Sequence, residues 1–165
     1  MDFLDSKDFY YKMALVTLVV VFLELVLGSY VKSIGAGLSC PDWPLCYGQI
    51  IPLNSADFQH YSFRDVWAEY LHRVTASVVS ILLVFLAFLT FKHRDELTEH
   101  KHQIGMKRFQ IMALILVLLV LQVIMGGLTV ILDTNPEIVT THLAIAALIF
   151  GLTVFLTTKI APQEG

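Results

Sequence analysis

Two histidines, two carboxylates and a pair of cysteines are the residues of this chain whose types and spacing are suited to chemistry. His72 and His142 each stand near one end of a long apolar run, and each begins a His-x-x-x-Ala step ending at Ala76 or Ala146. Ionisable side chains within membrane helices are costly and are functional candidates by default. Two imidazoles at matching depth on equivalent helices of a bundle suit ligation of a haem iron from both faces, each giving one ring nitrogen. The alternative is two unrelated histidines hydrogen-bonded to neighbouring helices. Glu69 precedes His72 by three residues, so both side chains project from one face of a helix. That is where a proton-handling group for a bound cofactor would stand; the plainer reading is an interfacial carboxylate, solvated or paired with Arg73. Arg73 either holds a haem propionate or snorkels to the surface.

Glu24 lies deeper in its run and is matched by the neutral Gln122, each four residues before a glycine, Gly28 or Gly126. Both read as interhelical hydrogen-bonding groups, with a part in a proton route as the alternative. Gly28, Gly126 and Gly127 let helices or a flat macrocycle approach the backbone closely. The segment Cys40-Pro-Asp-Trp-Pro-Leu-Cys46 is short and stiffened by prolines. Two thiols with no adjacent histidine are too few for a four-ligand zinc site. A disulfide is the economical assignment, either structural or exchanging electrons with an external thiol carrier. His60, His93, His100 and His102 read as solvated loop residues.

The elements that must position these groups follow from composition. Of 165 residues, 56% are hydrophobic and 15% charged, against about 25% charged in an ordinary soluble domain. The apolar residues fall in runs 13–31, 74–91, 109–132 and 138–158, whose one formal charge is Glu24. Each is long enough to cross a bilayer. The first is read as a permanent helix, since it carries Glu24 and has no Ala-x-Ala cleavage site after it. The expected fold is therefore all-α: one integral membrane four-helix bundle, with spans at about 13–31, 67–91, 109–132 and 136–158 and a long cysteine loop at 32–66. Ser62 with Asp65 predicts a capping box, and Asn135-Pro136-Glu137 predicts an N-cap, a first-turn proline and a carboxylate at the positive end of the dipole. The matches of Glu24 to Gln122 and of His72 to His142 make the chain two repeated helical hairpins.

Lys and Arg are retained on the cytoplasmic side of a membrane. Lys7, Lys12, Lys92, Arg94, Lys101, Lys107, Arg108 and Lys159 fall on one side of the predicted bundle, and only Lys32, Arg64 and Arg73 on the other. Both termini are therefore expected to be cytoplasmic, with the cysteine loop outside, in the cell membrane. Nothing in the sequence marks a nucleic-acid surface or a phosphate-binding glycine loop, which excludes soluble nucleotide enzymes.

The run from Gly35 to Gly48 that includes Cys40-Pro-Asp-Trp-Pro-Leu-Cys46, then Glu69-Tyr-Leu-His72-Arg73, then Gln122-Val-Ile-Met-Gly-Gly-Leu-Thr-Val130, then His142-Leu, closely resembles haem A synthase. The resemblance covers nearly all of the chain from Gly28 to about Gly151. It implies an oxidoreductase that converts a ring methyl of haem O, its substrate, to the formyl of haem A through a hydroxymethyl intermediate. It also implies that His72 and His142 are axial ligands of the haem iron, that Glu69 is the catalytic carboxylate, and that Cys40 and Cys46 are the loop disulfide. Family members usually have eight spans in two halves, one holding substrate haem and the other a prosthetic haem b; this chain resembles the amino-terminal half. A homo-oligomer of at least two copies is then expected, with haem O synthase and a terminal oxidase as further partners. Rival readings of the same histidines are a bis-histidine cytochrome b for electron transfer and a haem-carrying oxidase assembly factor.

Overall fold

The structure is a computed structural model that describes residues 6–54, 58, 60–93 and 107–162. Four helices follow one another: α1 Lys7–Ser33, α2 Phe63–Lys92, α3 Arg108–Ile131 and α4 Pro136–Ile160. They are 27, 30, 24 and 25 residues long. At 1.5 Å per residue the shortest is about 36 Å, more than the roughly 30 Å hydrocarbon core of a bilayer. All four are long and apolar enough to cross a membrane, as the uncharged runs require.

The helix starts are local chemistry that the sequence states outright. The Ser62 hydroxyl accepts from the Asp65 amide while the Asp65 carboxylate accepts from the Ser62 amide, a complete capping box. The Asn135 side chain accepts from the amides of Glu137 and Ile138, with Pro136 in the first turn. Ser6 caps α1 through the Phe9 amide, and Gln110 reaches back to the amide of Lys107 before α3. Each such bond satisfies one of the amides a helix start leaves open.

Successive helices run antiparallel and close into a ring. Within each hairpin the packing is closest, α1 on α2 and α3 on α4; α1 also packs on α4, and the α2–α3 side is the most loosely closed. Two pairs fix the direction of the first hairpin. Gly28, late in α1, lies against His72, early in α2, and the Tyr10 hydroxyl, early in α1, bonds Thr90 Oγ1, late in α2, at 2.8 Å.

The buried apolar cluster is confined to the half of the bundle away from the cysteine loop. Ala14, Leu83, Leu86, Ile111, Ile115 and Leu156 are fully buried there, with Val21, Val79, Leu119 and Ile149 as its last members toward the loop end. At the loop end a separate small cluster surrounds Cys40, Cys46, Phe58 and Val66. Between the two lies the layer that contains His72 and His142. Outward-facing side chains are apolar along most of the bundle, with Ile81 68% and Val120 60% exposed, as a lipid-facing surface would be. Rings at the loop end, Phe63, Trp67 and Tyr70, contact one another along α2, the first pair tilted and the second T-shaped, in the manner of an aromatic belt at a membrane interface.

His93 corrects one expectation. It is not a solvated loop residue: it is 4% exposed at the C-cap of α2, and its ring stacks on Tyr10 with centroids 5.5 Å apart. The flat apolar face of an imidazole gains more here from packing than from hydration. His60 is exposed as expected, while His100 and His102 lie outside the described residues.

Leu86→Ala should destabilise the protein by about 2–5 kcal/mol, since it empties a fully buried position. Val120→Ala, on the outer face, should stay within about 0.5 kcal/mol. Denaturant titration of both variants in the same detergent checks the contrast.

Candidate functional site

Two polar groups meet in the layer between the clusters, and they are related by the repeat. In the first hairpin, His72 Nδ1 approaches Glu24 Oε1 to 2.8 Å, close but not well aligned for a hydrogen bond. The Thr75 hydroxyl, one turn on from His72, bonds the other Glu24 oxygen. In the second hairpin, His142 Nε2 lies 3.3 Å from Gln122 Nε2. The glycines belong to the same design. A Cβ on Gly28 would stand 2.9 Å from His72 Cε1, and one on Gly126 would stand 3.4 Å from His142 Cε1. Each imidazole thus rests on a helix backbone bared by glycine and is met by the polar side chain one turn earlier. Both histidines stand near the loop end of their helices, His72 early in α2 and His142 early in α4, and Glu24 is in direct reach of His72.

A second polar group sits just above, where α2 meets the cysteine loop. Glu69 is 3% exposed, and both of its oxygens are engaged. Oε2 accepts from Ser39 Oγ at 2.9 Å and from the Cys40 amide at 2.8 Å; Oε1 accepts from Arg73 Nη2 at 2.5 Å. The Arg73 guanidinium then donates to three loop carbonyls, those of Cys40, Asp42 and Leu45. A guanidinium carries enough donors in a fixed fork to do this, which an ammonium does not. Charge-assisted bonds are the strong ones, and burial makes each partner necessary to the other.

The loop so held is closed by the Cys40–Cys46 disulfide. The Asp42 carboxylate accepts from the amides of Tyr47 and Gly48, and Cys46 pairs with Gln49 backbone to backbone. The loop also reaches the second hairpin. A Cβ on Gly127 would touch the Trp43 ring at 3.5 Å, and one on Gly37 would meet Thr134 at 3.3 Å. The loop therefore roofs the end of the bundle, fastened to α2 by Glu69 and Arg73 and resting on α3 through Trp43.

Of the residues singled out from sequence, His72, His142, Glu24 and Gln122 come together in one layer. Glu69 and Arg73 come together with Cys40 at the loop. Glu69 stands one turn from His72 but, among the described residues, no hydrogen bond joins it to either histidine. Sequence reasoning missed Ser39, Thr75 and Trp43. Only Trp43 left a signal: the repeat explains Gly126, and the extra glycine beside it asks for a second close neighbour.

The donor set fits a haem iron better than a bare ion. Among the described residues no three or more His, Cys, Asp or Glu gather as a metal site. What the layer offers is two imidazoles on opposite hairpins, with His72 Nδ1, His142 Nδ1 and Gln122 Oε1 buried and, among the described residues, without hydrogen-bond partners. Buried polar atoms left unpaired ask for a missing partner. Glycine-bared backbone beside both rings suits a flat group.

Comparison with known proteins places the chain in a family. Residues 11–164 match the COX15-CtaA family, described as cytochrome oxidase assembly protein. The chain belongs to that family. Curated members similar to it include the heme A synthase of Shewanella oneidensis, 30% identical over 90% of this chain and 45% of the relative. Those of Exiguobacterium sp., 31% identical over 83% and 41%, and of Alkalihalophilus pseudofirmus, 28% identical over 92% and 46%, are comparable. The chain spans less than half the length of these relatives. No solved structure matches it.

Arg73→Met should cost about 3–5 kcal/mol, because it leaves the Glu69 carboxylate buried without its cation, and should free the loop. Faster cleavage between residues 40 and 54 by a protease, with faster reduction of Cys40–Cys46 by dithiothreitol, is the expected readout.

Proposed function

We propose that this chain oxidises the ring methyl of haem O to the formyl of haem A by way of the hydroxymethyl compound, in the cell membrane with the cysteine loop outside. The observation that carries this reading is the pair of imidazoles at one level of the bundle within a chain of this family. His72 and His142 would hold the iron, and a haem bound between them supplies one-electron chemistry.

The chain's own residues bear on binding and protons. With water as the oxygen source, methyl to hydroxymethyl gives up two electrons and two protons, and hydroxymethyl to formyl gives up two more of each, the electrons passing to an external one-electron acceptor. Glu69 is the carboxylate we assign to accepting those protons, as the buried acid one turn from His72. Ser39, the Cys40 amide and Arg73 fix its position. Arg73 also places a cation near the rim of the site, where a haem propionate would lie. The Cys40–Cys46 disulfide is held against the same carboxylate, so loop and acid are set as a unit.

A substrate haem and a prosthetic haem b together need two such histidine pairs. The residues here provide one, and a second pair contributed by another copy of the chain, in a homo-oligomer, is the arrangement we propose. Haem O synthase and a terminal oxidase are the partners that would deliver the substrate and take the product.

One observation favours a competing reading. Both Glu69 oxygens are taken by loop partners and Arg73, as they would be if Glu69 only fastened the loop of a bis-histidine cytochrome b that transfers electrons. Mass analysis of haems extracted from a host that makes haem O, with and without this protein, separates the two. Hydroxymethyl and formyl haem are expected with the wild type and should fall at least tenfold in Glu69→Gln with haem content kept. Only unmodified haem would assign the cytochrome. Haem content should drop in His72→Ala; if neither His72→Ala nor His142→Ala lowers it, both readings fail.

A further inference from the structure

The two halves of the repeat differ at one chemical point: the first histidine is backed by a carboxylate and the second by an amide. We propose that Glu24 makes His72 the firmly held axial ligand, and that His142, backed by Gln122, is the ligand that lets go. This rests on the haem-binding reading of the histidine pair.

The first half is built to hold its ring in one pose. Glu24 Oε1 stands 2.8 Å from His72 Nδ1. The contact is close but not aligned as a hydrogen bond in this pose; a small turn of the ring would let the carboxylate accept the Nδ1 proton, which leaves the Nε2 lone pair for iron, orients the ring and raises its basicity. Glu24 is itself held by Thr75 from the same helix as His72, so ring and carboxylate move together. Behind the ring, a Cβ on Gly28 would be 2.9 Å from Cε1, so the ring lies hard against the α1 backbone.

The second half differs in the group that faces the ring and in how closely it is held, although Nδ1 makes no aligned hydrogen bond in either half. The Gln122 amide nitrogen lies 3.3 Å from His142 Nε2. An amide N–H can only donate, so it takes up the lone pair that iron would need. Among the described residues His142 Nδ1 and Gln122 Oε1 have no hydrogen-bond partners, and no carboxylate faces the opposite edge of this ring as Glu24 faces that of His72. The backbone behind it is further off, 3.4 Å from a Cβ on Gly126. Iron ligation through Nε2 therefore costs His142 its amide bond, and release restores it. Gln122 gives the departing imidazole somewhere to go, which Glu24 does not do for His72. The layer has one fixed donor and one exchangeable position, on the α3–α4 side.

The test uses the full chain in detergent, loaded with haem b, with carbon monoxide as the probe of the exchangeable position. His142→Ala should keep its haem as a five-coordinate species that binds carbon monoxide at least tenfold more tightly than wild type. His72→Ala should retain haem at least tenfold less well. Gln122→Glu should weaken carbon monoxide binding about tenfold or more, and Glu24→Gln should weaken haem affinity by about 10–100-fold and raise its midpoint potential. Thr75→Val, which frees Glu24 without altering it, should shift both in the direction of Glu24→Gln by less. In the exchanged Glu24→Gln, Gln122→Glu background the roles should swap, so that His142→Ala is now the variant that loses haem. Equal haem loss from the two alanine variants, or no change in haem affinity or carbon monoxide binding on exchanging Glu24 and Gln122, overturns the proposal while leaving haem binding intact. Undiminished haem in both alanine variants overturns the reading beneath it.

Discussion

With one oxygen bound by Arg73 and the other shared by the Ser39 hydroxyl and the Cys40 amide, Glu69 joins the first turns of α2 to a loop with almost no regular structure of its own. A carboxylate 3% exposed is tolerable only when its partners are supplied in full. Here they come from the loop, and the loop in turn gives three carbonyls to the cation that neutralises Glu69. Neither side is satisfied without the other. The disulfide shortens the loop, but this ion pair decides where the shortened loop sits.

Below it, the bundle repeats one solution twice. Polar residue, glycine and facing histidine recur in both hairpins, and each histidine meets the polar residue that the repeat pairs with it. The loosest seam is between α2 and α3, the junction of the two hairpins; α1 and α4 join them on the other side. Trp43 crosses this arrangement at the top, so a loop that belongs to the first hairpin rests on the backbone of the second.

Four helices were legible because long uncharged runs have few other uses, and their starts because Ser62, Asp65, Asn135 and Pro136 act within one turn of chain. That Glu24 and Gln122 reach across to a neighbouring helix was legible from the repeat; which residues they meet there was not. What the loop does to Glu69 was not, since the path from Cys40 to Leu45 is set by groups more than twenty-five residues away. His93 was misread for the same reason. Its partner Tyr10 is distant in sequence, and a histidine beside a charged loop carries no local mark of burial.

The buried apolar cluster stops below the histidine layer, and that division separates what keeps the chain folded from what tunes its chemistry. Neither His72 nor His142 belongs to the cluster that contains Leu83, Leu86 and Ile115. Such a molecule is a chassis with an interchangeable head. Descent by duplication becomes easy under that division, because a copied hairpin inherits a working frame and is free to drift at the two or three positions that set what its imidazole does.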